Sequence, residues 1–234
     1  MTRFNPHQSV GSIVVAAPAA ANVFERHGLD YCCGGGKSLA DACVRAGLKT
    51  DVVLAELDAV VAAPATERDW SRETATAVIA HIEAVHHAFM RRELTAITPR
   101  LERVLQVHGA NHPEAQLPRI AAIWGACVAE LWPHLEKEEQ ILFPMVRALE
   151  AGHAPSMHCG VEGPLHVMEQ EHDQVGAAFA ELRRLTDGWR VPEHACTTWR
   201  ATWGALEAFE RDLHRHIHLE NNVLHPKARA LAGL

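Results

Sequence analysis

HLEKEEQILFP, from His134 to Pro144, and HIHLENNVLHP, from His216 to Pro226, lie 82 residues apart and share one pattern. Each places a glutamate one helical turn after a histidine, then two acid or amide residues, an aliphatic pair and a proline. In the first, Leu131, His134, Leu135, Glu138, Leu142 and Met145 step by three and four; in the second, Leu213, His216, Ile217, Glu220 and Leu224 do the same. That period predicts helices whose apolar stripe carries the His–Glu pair inward. A buried carboxylate is costly without compensation, and two facing each other are worse. A divalent metal or a metal pair between them resolves the conflict. One His-x-x-x-Glu alone is commonly a surface pair worth a few tenths of a kcal/mol; two copies on apolar faces call for another reading.

Two further helices supply partners. Leu165, Met168, His172, Val175, Phe179 and Leu182 form a stripe with His172 at its middle. Upstream, His81, His86 and His87 compete, and periodicity does not separate His86 from His87. Taking His87, the chain reads as two helical hairpins, each giving one histidine from its first helix and His-x-x-x-Glu from its second. Packed antiparallel, they enclose four imidazoles and two carboxylates, enough for two metals about 3.5 Å apart. Thiolate-free N/O ligation fits iron, with zinc or manganese also accommodated. An oxo or hydroxo bridge between trivalent irons would offset the buried charge, and a coordination position remains for a small exogenous molecule. Glu169 stands as an extra ligand or an acid behind the ligands, Glu171 as a solvated acid, and Glu130 on a path to the site. His153, His158, His166, His214, His218 and His225 read as capping, surface or proton-carrying groups, and Trp124, Trp132, Trp199 and Trp203 as helix packing.

The rest of the chain agrees with an all-α fold. No segment alternates long enough to demand a sheet. Long helices are expected over about 71–108, kinked or split at Pro99, then 119–150, 164–185 and 195–230. Ahead of them, short helices are expected up to His27-Gly28, from a Ser38 cap to Gly47, and from Thr50. This gives a small helical amino-terminal domain (1–63), a linker (64–70) and a four-helix bundle (71–234). The formal charge of −7 and the lack of a dense Lys/Arg block argue against nucleic acid. No apolar run reaches a membrane span. GSIVVAAPAAA resembles a signal-peptide core, but only Arg3 precedes it and an amphipathic ANVFERHG follows. Six cysteines without CxxC suit a reducing cytoplasm rather than a disulfide scaffold. In DYCCGGG, Cys32 and Cys33 are expected as thiols in a mobile, accessible loop, with Lys37 lowering a thiol pKa slightly.

FERHGLDYCCGGGKSLADAC, with HLEKEEQILFPM, VMEQEHD, ACTTW and LENNVLHP, closely resembles the bacterial di-iron iron–sulfur cluster repair proteins, the RIC family. The likeness spans nearly the whole chain. It implies a hemerythrin-like four-helix bundle behind a DYCCGG domain. It also implies two non-haem irons, carboxylate- and oxo-bridged, on His87, His134, Glu138, His172, His216 and Glu220. His87 is selected over His86 because it stands six residues after His81. Cys32 and Cys33 match the family's cysteines. Gly36, His225 and Met90 depart from the pattern without removing a ligand.

The resemblance further implies a response to nitric oxide or oxidative stress and restoration of damaged iron–sulfur proteins, with iron supplied from a labile site. Nitric-oxide binding and scavenging is the alternative within the family, and a homodimer is one arrangement open to it. An oxygen-binding hemerythrin would favour a fifth imidazole. A di-iron oxidase would favour more carboxylates and a substrate pocket. A purely structural bundle predicts ordinary core behaviour at His134 and Glu138.

Overall fold

The computed structural model describes residues 3–61, 68–153 and 160–234. Among these the fold is all-α; the β content is an isolated bridge between Ser9 and Ser38. The chain divides into two compact units. One comprises Met1–Ala80, Val146–Gly163 and His214–Leu234; the other comprises His81–Met145 and Pro164–Leu213.

In the first unit, α1 (Val10–Ala16) is capped by Ser9, whose Oγ accepts from the Ser12 N–H. Val10 and Ile13 are fully buried, so the stretch with signal-like hydropathy is core. α2 (Ala20–His27) ends at Gly28; α3 (Leu39–Arg45) starts from the expected Ser38 cap; α4 covers Thr50–Val61. Phe4, Ile13, Val23, Phe24, Tyr31, Leu39 and Leu57 pack into one core, removing apolar surface from water. The expected linker falls partly outside the described residues; His158 and Cys159 do too. Helix does not resume at Ser71. Trp70–Arg72 is a 3₁₀ turn, and α5 (Ala75–His81) begins where the Glu150 carboxylate accepts the Ala75 and Thr76 N–H groups at 2.7 and 2.9 Å. A carboxylate there satisfies donors that a helix start otherwise leaves open.

The second unit contains a π-turn at Ile82–His87, α6 (Ala88–His108), α7 (Leu117–Lys137), a second π-turn at Glu138–Leu142 and the start of α8 (Phe143–Glu150). It also holds α9 (Glu162–Leu185) from Pro164 and α10 (Thr197–Leu219) up to Leu213. Buried Trp124 of α7 touches the other three helices of this unit. Its indole N–H donates to Thr98 Oγ1, and its ring meets Phe179 and Phe209 edge-on, at 6.4 and 5.3 Å. Phe179 and Phe209 stack at 5.6 Å. Pro99 does not split α6. Thr98 Oγ1 and Arg100 Nε donate to the Leu94 and Ala96 carbonyls, so side chains serve the turn that the ring disrupts. Pro118 lies in the first turn of α7, where a missing N–H costs nothing.

Candidate metal centre

Each His-x-x-x-Glu segment contains a π-turn that begins at its glutamate: Glu138–Leu142 and, in the first unit, Glu220–Leu224 before α11 (His225–Leu231). The third π-turn ends at His87. A π-turn adds a residue to one turn of helix and is frequent at functional sites, because it re-aims side chains that regular α geometry would send elsewhere. It also accounts for the prolines. Pro144 and Pro226 fall in the first turn after a π-turn, where the helical ladder is already offset.

In the second unit, imidazoles from three helical segments converge on the Glu138 carboxylate, which has no exposed surface. His87 Nε2 lies 3.4 Å from Oε2; His134 Nε2 and His172 Nε2 lie 3.2 and 3.8 Å from Oε1. The two oxygens thus face different imidazoles, as a carboxylate shared between two cations would. His134 Nε2 and His172 Nε2 are 3.1 Å apart. The outer nitrogens are fixed by carboxylates: His87 Nδ1 on Glu139 and His134 Nδ1 on Glu171, both at 2.8 Å. When Nδ1–H donates outward, Nε2 presents its lone pair inward. Lone pairs and carboxylate oxygens therefore crowd a dry space, a donor set that fits a cation. Phe143 stacks on His87 at 5.6 Å and holds the ring.

Glu139 and Glu171 are the acids that sequence reasoning missed or misplaced. Glu171, which its sequence position suggests is simply solvated, bonds His134, and that hydrogen bond, helped by Lys137, lowers its pKa to about 2 against the opposing effect of burial. Burial pushes Glu139 upward, but hydrogen bonds with His87 and Arg91 outweigh it and leave the carboxyl below its ordinary range. Glu169 is half-buried. Glu130, Pro133, His134, Lys137 and Glu171 line a cleft of about 210 Å³, the position expected of Glu130 on a path to His134. Losing a carboxylate behind a ligating histidine typically costs roughly 10–100-fold in metal affinity. Glu139→Gln and Glu171→Gln are each expected to weaken iron retention on that scale in chelator competition, with unchanged helical circular dichroism.

In the first unit, His216 Nε2 lies 3.1 Å from Glu220 Oε1, and both side chains are fully buried. The same stretch grips the cysteine loop. Asn222 Nδ2 donates to the Cys32 carbonyl at 3.2 Å and, at longer range, to that of Tyr31. A Cβ on Gly35 would stand 2.5 Å from Asn222 Oδ1, so glycine is needed there for close approach. His218 packs edge-on against Tyr31, and burial lowers its pKa to about 4. Of the capping, surface or proton-carrying roles expected of them, His218 and His225 do not take the surface one, since both are buried.

The loop also differs from expectation. Asp30 accepts the N–H groups of Cys32, Cys33 and Gly34 at 3.1, 3.0 and 2.8 Å. Cys32 is buried and Cys33 half-buried, with sulfurs 3.8 Å apart and not joined in a disulfide. The Cys32 pKa is raised, not lowered: its contact with Cys33, burial and neighbouring Asp30 all disfavour the thiolate.

A helical chain that points buried imidazoles at a buried carboxylate defines a metal-binding bundle protein, with a donor set suited to iron. Residues 78–228 match the hemerythrin HHE cation binding domain, and residues 6–61 match ScdA_N, a domain of unknown function. The chain is 39% identical over 223 residues to the iron–sulfur cluster repair protein YtfE of Yersinia pseudotuberculosis serotype IB (strain PB1/+). That alignment covers 95% of this chain and 96% of the relative. YtfE of Yersinia pestis strains Pestoides F and Angola (biovar Antiqua) match with the same identity and coverage. The chain belongs to the hemerythrin HHE family and, within it, to the iron–sulfur cluster repair proteins.

Proposed function

We propose that this protein repairs iron–sulfur clusters damaged by nitrosative or oxidative stress, supplying iron held in its bundle. His87, His134, Glu138, His172, His216 and Glu220 would hold two non-haem irons, whose labile metal is the repair material. Residues 1–63 form the cysteine-loop domain, 64–70 the linker and 71–234 the hemerythrin-like bundle. One observation carries the reading: three imidazoles converge on a fully buried Glu138 in a chain alignable over nearly its whole length with iron–sulfur cluster repair proteins. The bound iron supplies the metal that a damaged cluster has lost.

The chain's own residues set how that metal is kept. Glu139 and Glu171 hold the tautomer and aim of His87 and His134. Asn222 ties the backbone of Cys32 to the π-turn that begins at Glu220, one of the proposed ligands. No helix among the described residues is long and apolar enough to cross a membrane. On this reading the protein acts in the cytoplasm on damaged iron–sulfur proteins, with nitric oxide or oxygen as the small ligand and a homodimer as one working assembly.

The test is iron per chain in purified protein, followed by incubation of the iron-loaded form with a nitrosylated [4Fe–4S] enzyme. Recovered enzyme activity with matching loss of iron from the repair protein is expected, reduced in Cys32→Ser/Cys33→Ser. Iron retained with no recovery would transfer the reading to nitric-oxide binding.

A further inference from the structure

Several histidines take no part in the buried centre, and three of them cluster elsewhere in the second unit. α6 ends at His108, and the connection to α7 carries His112 and Glu114; the segment entering α10 carries His194 and Cys196. His112 and His194 stack face to face, with ring centroids 3.8 Å apart and planes 10° from parallel. Glu114 Oε1 lies 3.1 Å from His112 Nδ1. One ligand atom from each of His112, Glu114 and His194 falls within 4.8 Å of the other two. His108 Nε2 sits 3.2 Å from the sulfur of Cys196.

We infer that His112, Glu114 and His194 form a second, surface metal site for a borderline divalent cation of the Zn²⁺ class. The donor chemistry is two imidazoles and one carboxylate, a set that Zn²⁺ takes with solvent completing its tetrahedron. With bonds of about 2.0–2.2 Å lying in each ring plane, ligand atoms around such an ion stand roughly 3.3–3.5 Å apart, so closing the cluster takes a shift of up to about 1.5 Å and a tilt of one ring out of the stack. The scaffold holds the rings for this. Fully buried Trp199 packs against His108, His112 and His194, with centroids at 5.0, 5.9 and 5.5 Å. The carbonyl end of α6, 21 residues long, adds a negative field at the same place. A plain His112–Glu114 surface pair would explain one contact. It does not include the ligand atom of His194, which a segment some eighty residues later brings within 4.8 Å of the pair. The ion would staple the α6–α7 connection to the entry of α10, independently of whether the buried centre repairs clusters.

The experiment uses the full chain with its bundle loaded with iron. Zn²⁺ binding is measured by equilibrium dialysis, with iron followed in the same samples. Wild type is expected to take up one zinc per chain more than His112→Ala/His194→Ala, without releasing iron, and to gain thermal stability that the variant does not gain. The readout is the difference between the two proteins, so metal exchanging into the buried centre cancels; failure of the iron reading would appear as low iron in both. Equal zinc in both proteins overturns the inference. So does zinc uptake lost in Cys196→Ser but retained in the double variant, which would put the ion on the thiol. Both substitutions are at accessible positions, and unchanged helical circular dichroism checks that the variant folds.

Discussion

Glu138→Ala is expected to purify with far less iron than wild type, and its melting temperature no longer rises when iron is supplied. Glu138 sits between His87 on one oxygen and His134 and His172 on the other, with no exposed surface. Removing it deletes a ligand that two metals would share, so the loss should exceed the roughly 10–100-fold that follows from losing an acid behind a ligand. Glu138→Gln is the sharper version. It keeps the volume and replaces the charged carboxylate with a neutral amide, so iron loss there reports charge and ligation rather than packing. Iron measured per folded chain decides the matter. Wild-type iron content in Glu138→Ala would take this residue out of the ligand set and leave the structural bundle as the better reading.

Phe209→Ala is expected to cost about 3–5 kcal/mol, the range for truncating a fully buried aromatic ring. Phe209 stacks on Phe179, meets Trp124 at 85° and lies 6.3 Å from Phe89, so one ring touches α6, α7 and α9 from α10. Those aromatic pairs add to the area term. Urea unfolding of the iron-free protein should show a lower midpoint with an unchanged slope, the signature of lost native stability rather than an altered unfolded state. Iron content at low temperature should stay near wild type, which separates this variant from Glu138→Ala. A midpoint shift that, multiplied by the slope, amounts to less than about 1 kcal/mol would mean that the aromatic cluster does not organise the unit.

Much of the candidate site was legible because it obeys helical arithmetic. His134 with Glu138 and His216 with Glu220 are one turn apart, and their spacing against leucine and isoleucine assigns them to the interior, where they are buried. The caps at Ser38 and Gly28 were readable for the same local reason. Choosing His87 over His86 needed the family resemblance. Both prove buried, and what separates them is the partner each meets: Glu138 and Glu139 for His87, Asp212 for His86.

Local sequence determined where helices run, which residues share a face and which pairs of ligands a single turn can present, since those follow from backbone period and side-chain polarity alone. The π-turns at Glu138 and Glu220, the acids behind His87 and His134, and the clasp of Asn222 on the cysteine loop were decided only by the folded chain. Each depends on partners brought together from distant positions: Glu171 lies beside His172 in sequence yet bonds His134 on another helix, and Asn222 meets Cys32 across 190 residues. No short-range preference encodes such a meeting; it exists once packing has chosen which inward face opposes which.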